Sequence, residues 1–378
     1  MNRWIKSIIA ASLAVLFCAS FAAMAQQRVR VVDENDNQWT WRWSDNGISL
    51  ELKMRGKVEF NDDYTDVLRI SPGGSLRIKD ERGGTTRQIE ITPSSDGGLN
   101  RNYSVRGQAR PYDREAQEWL SRLLSEATRQ AGLDAGPRAR KILSRRGPTG
   151  LLDEVSQLHS DYVKKLYFGE LIKSGTLDAQ TARRLLAQVA REMSSDYEKT
   201  ETLIKVSEAS LERDNWRAAY IETTRSIHSD YERKRALTAL FNKGDLSREE
   251  LLLAIKSASE ISSDYEKAET LIKVSQAPPG KDDWRGAYLE ATRGMHSDYE
   301  RGRVLTALLN KRDLSREDLL LAVKSATGIS SDYEKAQVLT RVISVSSGDE
   351  AVRNAVIDAA KAISSDHERE RVLKAASR

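Results

Sequence analysis

The chain has 378 residues, with 60 Lys and Arg set against 56 Asp and Glu, a formal charge of +4 and 31% charged residues. Charge this dense and this evenly signed predicts solvated helix faces and excludes a general electrostatic draw to nucleic acid or to an anionic membrane. The single cysteine, Cys18, excludes a disulfide scaffold, so the fold must rest on burial, for which the chain is long enough.

Residues 1–25 read as an export signal. Arg3 and Lys6 make a positive n-region, Ile8 to Ala23 is apolar but for Ser12 and Ser20, and Ala23-Met24-Ala25 is a small-x-small cleavage site. Cys18 lies inside this segment behind Phe17, where a lipoprotein signal needs a small residue. Cleavage after Ala25 is expected, with a periplasmic or secreted product. No stable membrane insertion is expected after cleavage, because no later stretch is apolar enough to span a bilayer.

Residues 26–110 read as a small antiparallel β domain. Ile48, Leu50, Leu52 and Met54 alternate with polar neighbours, as do Leu76 with Ile78, Ile89 with Ile91, and Tyr103 with Val105. Ser71-Pro72-Gly73-Gly74 suits a type II turn, and Gly83-Gly84 and Gly97-Gly98 break the remaining runs, giving five to seven short strands. Residues 111–158 read as a helical connector. Ala116, Trp119, Leu120 and Leu123 share one side of a helix from Asp113 to about Gln130, and Gly136-Pro137 and Gly147-Pro148 punctuate two more.

The strongest signal is a repeat. Ser-Asp-Tyr recurs with its tyrosine at Tyr162, Tyr197, Tyr231, Tyr265, Tyr299 and Tyr333, and a last copy reads Ser365-Asp366-His367. Residues 194–261 and 262–329 match at most positions, so two alternating unit types form a double repeat. Each unit predicts two helices. The first opens on a capping box such as Ser195-Asp196-Tyr197-Glu198, in which the serine accepts from the third helical amide and the glutamate reaches back to the serine amide. Along it Tyr265, Ala268, Leu271 and Ile272 follow helical spacing, so the tyrosines are expected to pack between helices. The second helix either carries Trp284, Ala287, Tyr288, Ala291 and Met295 on one face or starts at the cap Ser315. One such amphipathic helix cannot bury itself, but stacked pairs can. The expected fold is therefore α+β and mostly α: an N-terminal antiparallel β region, then over residues 159–378 an α-solenoid of 34-residue helix-pair repeats.

Candidate chemistry is sparse. His228-Ser229-Asp230 and His296-Ser297-Asp298 hold the letters of a hydrolase triad, but three consecutive residues at a helix start cannot place the base between nucleophile and carboxylate. His159, His228 and His296 recur about two units apart, too far to share a zinc ion. Asp33, Asn35 and Asn37 begin like a calcium loop, yet Gln38 stands where glycine is needed and Ser44 where glutamate is. His367-Glu368-Arg369-Glu370-Arg371 lacks the second histidine of a zincin helix. No catalytic, cofactor or metal site is expected, and the protein reads as a non-enzyme. Two surfaces stand out for binding. Trp39, Trp41 and Trp43 fall on one strand face, either packed on the core or forming an aromatic platform for sugar or peptide. Arg138, Arg140, Lys141, Arg145 and Arg146 form a basic cluster without interleaved aromatics, a solvated face or a docking patch rather than a nucleic-acid site.

Several segments carry a family likeness: Trp41-Arg42-Trp43-Ser44-Asp45-Asn46-Gly47, Gly56-Lys57-Val58-Glu59-Phe60-Asn61-Asp62-Asp63, Ser71-Pro72-Gly73-Gly74, Tyr103-Ser104-Val105-Arg106-Gly107, and His159-Ser160-Asp161-Tyr162-Val163-Lys164-Lys165-Leu166-Tyr167. Together with the later Ser-Asp-Tyr-Glu units they resemble the extracytoplasmic C-terminal region of some BlaR1-type sensor and peptidase-like membrane proteins of bacteria. The multi-span membrane domain and the His-Glu-x-x-His motif of that family are missing from this sequence. The resemblance thus implies a stand-alone sensory or interaction region and no catalytic residue. The expected function is an exported protein-interaction scaffold of the bacterial cell envelope with a protein or peptide partner. The alternative is a ligand-sensing module in envelope signalling that takes a cell-wall fragment, glycan or small molecule on the β region.

Overall fold

A computed structural model describes residues 38–45, 48–209, 211, 216–244, 246–276, 284–311 and 313–377. The expected signal segment and the Asp33–Asn37 stretch lie outside the described residues. The described chain is α+β and mostly α, in two compact units that divide between Leu133 and Asp134.

Among the described residues the first unit contains eight strands: β1 (Gln38–Asp45), β2 (Ile48–Arg55), β3 (Val58–Phe60), β4 (Val67–Ile70), β5 (Ser75–Arg82), β6 (Thr85–Pro93), β7 (Leu99–Val105) and β8 (Gln108–Arg110). Six form an antiparallel sheet in the order β1-β2-β5-β6-β7-β8, while β3 and β4 pair separately. The register follows the alternation: Leu52 stands opposite Ile78 and Ile78 opposite Ile89, so one face of the sheet is apolar across its middle strands. One turn leads from β4 into β5, and a second fixes the β5–β6 register. Gly74 N donates to Ser71 O at 2.9 Å with Gly73 at φ +72°, the type II turn expected behind Pro72. Gly83 and Gly84, at φ +54° and +72°, make the tight β5–β6 hairpin with both central residues left-handed.

Helix α1 (Arg114–Ala131) also belongs to this unit. Asp113 caps it, accepting from Ala116 N at 3.1 Å, and Gly132 ends it in a left-handed conformation. Its Ala116, Trp119, Leu120, Leu123 and Leu124 share a core with Leu50, Leu52, Ile78, Ile89 and the β3–β4 residues Phe60, Val67 and Ile70. The boundary read from the sequence at 110/111 therefore moves to 133/134. The expected connector is divided, because a sheet with one apolar face needs a second layer and α1 supplies it.

The second unit begins with α2 (Ala135–Val155), broken at Gly147 ahead of Pro148. It continues through α3 (Asp161–Lys173), α4 (Ala179–Glu192), α5 (Asp196–Glu208), α6 (Trp216–Thr224), α7 (Asp230–Phe241), α8 (Arg248–Ser259), α9 (Asp264–Ser275), α10 (Trp284–Arg293), α11 (Asp298–Leu309), α12 (Arg316–Thr327), α13 (Asp332–Val345), α14 (Glu350–Ala360) and α15 (Asp366–Ala376). Odd-numbered helices from α3 stack on one another and even-numbered ones from α4 do the same, the two-row arrangement of a helical-repeat solenoid. Their shared core is built from recurring residues such as Leu271, Val274, Tyr288, Leu305 and Leu339. Tyr288 lies edge-on to Trp284 at 5.8 Å and donates its hydroxyl to Val304 O at 3.0 Å, and Tyr220 does the same for Ala236 O at 2.8 Å. Burial pushes both phenols far above their ordinary pKa, so they stay neutral donors.

Candidate functional site

Every odd-numbered helix from α5 to α15 opens on Ser-Asp-(Tyr/His)-Glu-(Lys/Arg), and each letter has its own task. The serine is the N-cap: Ser195, Ser263 and Ser331 accept from the amides of Glu198, Glu266 and Glu334 at 3.3–3.4 Å. The reciprocal half of the expected capping box is absent from these helices, because the serine amide is already taken. Asp161 accepts from Ser195 N at 2.7 Å, Asp196 from Ser229 N at 2.7 Å, Asp230 from Ser263 N at 2.7 Å, Asp264 from Ser297 N at 2.6 Å and Asp298 from Ser331 N at 2.7 Å. The aspartate is thus a staple between consecutive repeats. The complete capping box forms instead at Ser247 and Ser315, which no such aspartate reaches. The buried basic residue at the fourth helical position ties the same junction from the other side. Lys199 Nζ donates to Ser226 O at 2.7 Å and Arg301 to Gly328 O at 3.0 Å, so each cation caps the C-terminal end of the following even-numbered helix. Burial lowers the pKa of Lys199, with Asp196 and Asp161 pulling it back up.

The glutamates, released from capping, pair with cations. Glu198 meets Lys165 at 2.6 Å and Glu266 meets Lys234 at 2.5 Å, each across a repeat junction. Glu334 is the exception. The residue matching Lys234 in its neighbour is Gly302, and no cation pairs with Glu334 among the described residues. Burial, then the charge of Asp298, raises the Glu334 pKa. A side chain at Gly302 would meet only the far end of Glu334, at 2.9 Å. Gly302→Lys is therefore expected to stabilise the protein in urea unfolding at pH 7 by about 1 kcal/mol, most of it from removing a helix-interior glycine. A carboxyl with a raised folded pKa weakens the fold above that pKa and ceases to do so as pH falls and it takes up a proton. The ion-pair share of the gain should accordingly shrink on acidification while the helix-propensity share persists; no gain at either pH would refute this account.

The tyrosines do not pack between helices as expected. Tyr197, Tyr231, Tyr265, Tyr299 and Tyr333 are each between 51% and 59% exposed. The helix phase explains this: the buried side of α9 runs through Ala268, Leu271 and Val274, and Tyr265, six residues before Leu271, sits roughly 120° away around the helix. Cations are interleaved between the rings. Lys165 lies 5.0 Å from Tyr162 and 5.7 Å from Tyr197, Arg235 lies 6.0 Å from Tyr197 and 5.9 Å from Tyr231, and Lys234 lies 5.0 Å from Tyr231 and 5.7 Å from Tyr265. Arg235 is itself fixed by Glu201 at 2.7 Å and Glu232 at 2.8 Å, and Arg303 by Glu269 at 2.6 Å and Glu300 at 2.7 Å. The outcome is an exposed aromatic ridge along one row of helices, with ring positions held by cation–π contacts and ion pairs.

The residues singled out from the sequence have other roles. Trp41 is 1% exposed and stands opposite Leu52, while Trp39 and Trp43 are partly buried against the same core. The tryptophan face is the apolar side of the sheet and offers no platform; Arg42 points the other way and pairs with Glu51. Arg138 is held by Tyr167 Oη at 2.6 Å and Glu154 at 2.7 Å, Arg140 by Glu170 at 2.8 Å, and Arg146 reaches Glu154 at 4.0 Å. Lys141 and Arg145 have partners as well, so the basic cluster is largely committed to internal pairing. His228 and His296 contribute their backbone amides, which donate to Asp196 at 3.1 Å and Asp264 at 2.8 Å.

No protein-family profile matches the chain and no curated protein sequence does either. A solved chain described as "Computational Design of Self-Assembling Cyclic Protein Homooligomers" is similar at 12% identity over 65% of this chain and 93% of that one, with a TM-score of 0.19, too low to carry an argument.

Proposed function

We propose that this chain is an exported, non-enzymatic interaction scaffold of the bacterial cell envelope, and that it docks a protein or peptide partner along the tyrosine ridge. The observation that carries this is the half-exposed tyrosine presented once per repeat by five successive units. A tyrosine at a solvent-facing position in five successive units contributes little to the core and offers a large, stiff contact surface at low entropic cost. The N-terminal segment with Arg3, Lys6 and the Ala23-Met24-Ala25 site supports export, and the likeness to the BlaR1-type extracytoplasmic region supports an envelope role. Packed helices stand roughly 8–10 Å apart, and three residues of extended or polyproline chain span about 9–10 Å. An extended peptide laid along the ridge would therefore meet one tyrosine about every third residue.

The test uses the mature protein as bait in crosslinked envelopes of its host, beside the triple variant Tyr231→Ser, Tyr265→Ser, Tyr299→Ser. Each tyrosine is exposed, so the variant should unfold within about 0.5 kcal/mol per site of the parent. It should recover the parent's partner at least about tenfold less. Equal recovery by both baits would refute docking on the ridge.

A further inference from the structure

The apolar face of the sheet changes character under the second half of α1. Along β5 the inward positions run Leu76, Ile78, Asp80, Arg82, and opposite them on β6 stand Ile91, Ile89, Arg87 and Thr85. Two apolar pairs thus give way to the polar pairs Asp80–Arg87 and Arg82–Thr85 on the side that α1 covers. Inward charges on a face that is otherwise core carry a desolvation cost, and natural folds break their own pattern in this way most often where they bind something. Above them α1 presents a single stripe, Glu115, Trp119, Arg122 and Glu126, at successive steps of four, three and four residues. Its ends anchor the two strand arginines: Glu115 takes Arg87 at 2.9 Å and Glu126 takes Arg82 at 3.0 Å. Asp80 is buried and satisfied, accepting from Trp119 Nε1 at 3.0 Å and from Arg82 Nε at 2.7 Å. Arg122, in the middle of the stripe, is exposed and has no hydrogen-bond or ion-pair partner among the described residues. Between strands and stripe lies an open cleft of about 550 Å³ with Trp119 and Leu123 in its wall.

We propose that this cleft binds a small organic carboxylate, with Arg122 as the principal anchor and Arg82 and Arg87 as flanking donors. Asp80, Glu126 and Glu115 balance the three guanidinium groups in number, but all three carboxylates engage Arg82 or Arg87, which leaves Arg122 as the guanidinium without a carboxylate among the described residues and able to take a monoanion. A guanidinium fork matches a carboxylate bidentately, and Arg82 and Arg87 are already held by side chains of the opposite sign, so they bind without being reoriented. The volume falls in the usual range for small-molecule sites, roughly 300–1,000 Å³. This site lies in the first unit and is independent of the ridge.

The probes are benzoate, its neutral isostere benzamide, and phenyl phosphate, titrated into the mature protein at low salt while the indole N–H resonance of Trp119 is followed by NMR. Benzoate should shift that resonance saturably, with a dissociation constant of about 1 mM or below, and benzamide should not. Arg122→Gln, at an exposed position, should leave the spectrum folded and weaken benzoate at least about tenfold. Equal shifts from benzoate and benzamide, or unchanged benzoate affinity in Arg122→Gln, would overturn the site. Phenyl phosphate binding tenfold tighter than benzoate would overturn its assignment to carboxylates.

Discussion

Trp41→Ala should destabilise the sheet unit by about 3–5 kcal/mol, whereas Arg42→Ala, one residue along the same strand, should cost no more than about 1 kcal/mol. The tryptophan is 1% exposed, pairs across the strands with Leu52, and belongs to the core that α1 closes. Its loss removes the transfer energy of a fully buried indole and leaves a cavity that a strand fixed by its register cannot collapse to fill. Arg42 lies on the polar face, where its pairing with Glu51 is exposed on the arginine side. The measurement is urea unfolding followed by a signal from the first unit. Comparable small losses at both positions would mean that the tryptophan face is not the core of the sheet.

Much of this architecture was legible because it rests on local chemistry. The strands followed from alternation at Leu50, Leu52, Ile78 and Ile89, the turns from Pro72-Gly73 and Gly83-Gly84, and the repeats from Ser-Asp-Tyr spacing. What stayed hidden depended on partners distant in sequence. Nothing in the residues near Asp113 says that the next helix closes the sheet rather than opening the solenoid. The capping box failed for a related reason. Ser195 and Glu198 stand at the right spacing, but the amide they would share is claimed by Asp161, from the repeat before. The tyrosine misreading was one of phase: Tyr265, Ala268 and Leu271 look continuous on a helical wheel until Val274 and Ser275 fix the centre of the buried side. The cleft, by contrast, did leave a trace. The alternation of β5 carries on through Leu76 and Ile78 into Asp80 and Arg82, so two charges occupy positions that the pattern reserves for the core.

Asp264→Ala is expected to cost about 3 kcal/mol or more, and Asp264→Asn about 1 kcal/mol, in urea unfolding of the full chain. One carboxylate oxygen of Asp264 accepts from two backbone amides of the next repeat, His296 N at 2.8 Å and Ser297 N at 2.6 Å. Ser297 N is one of the N–H groups a helix start leaves without an internal acceptor, α11 begins immediately behind it, and His296 N is its neighbour on the loop side. Alanine removes both charge-assisted bonds and leaves the amides to whatever water reaches the junction. Asparagine keeps an acceptor oxygen in place and loses only the charge. In a solenoid, cohesion is close to a sum of neighbour terms, so the same substitution at Asp230 or Asp298 should give a similar loss, and Asp230→Ala with Asp298→Ala should be nearly additive across two separate junctions. If Asp264→Ala instead costs less than about 0.5 kcal/mol, the level of an ordinary surface change, the repeats are held by their apolar contacts alone, and the recurrence of aspartate after the capping serine of each odd-numbered helix from α5 to α15 would need another cause.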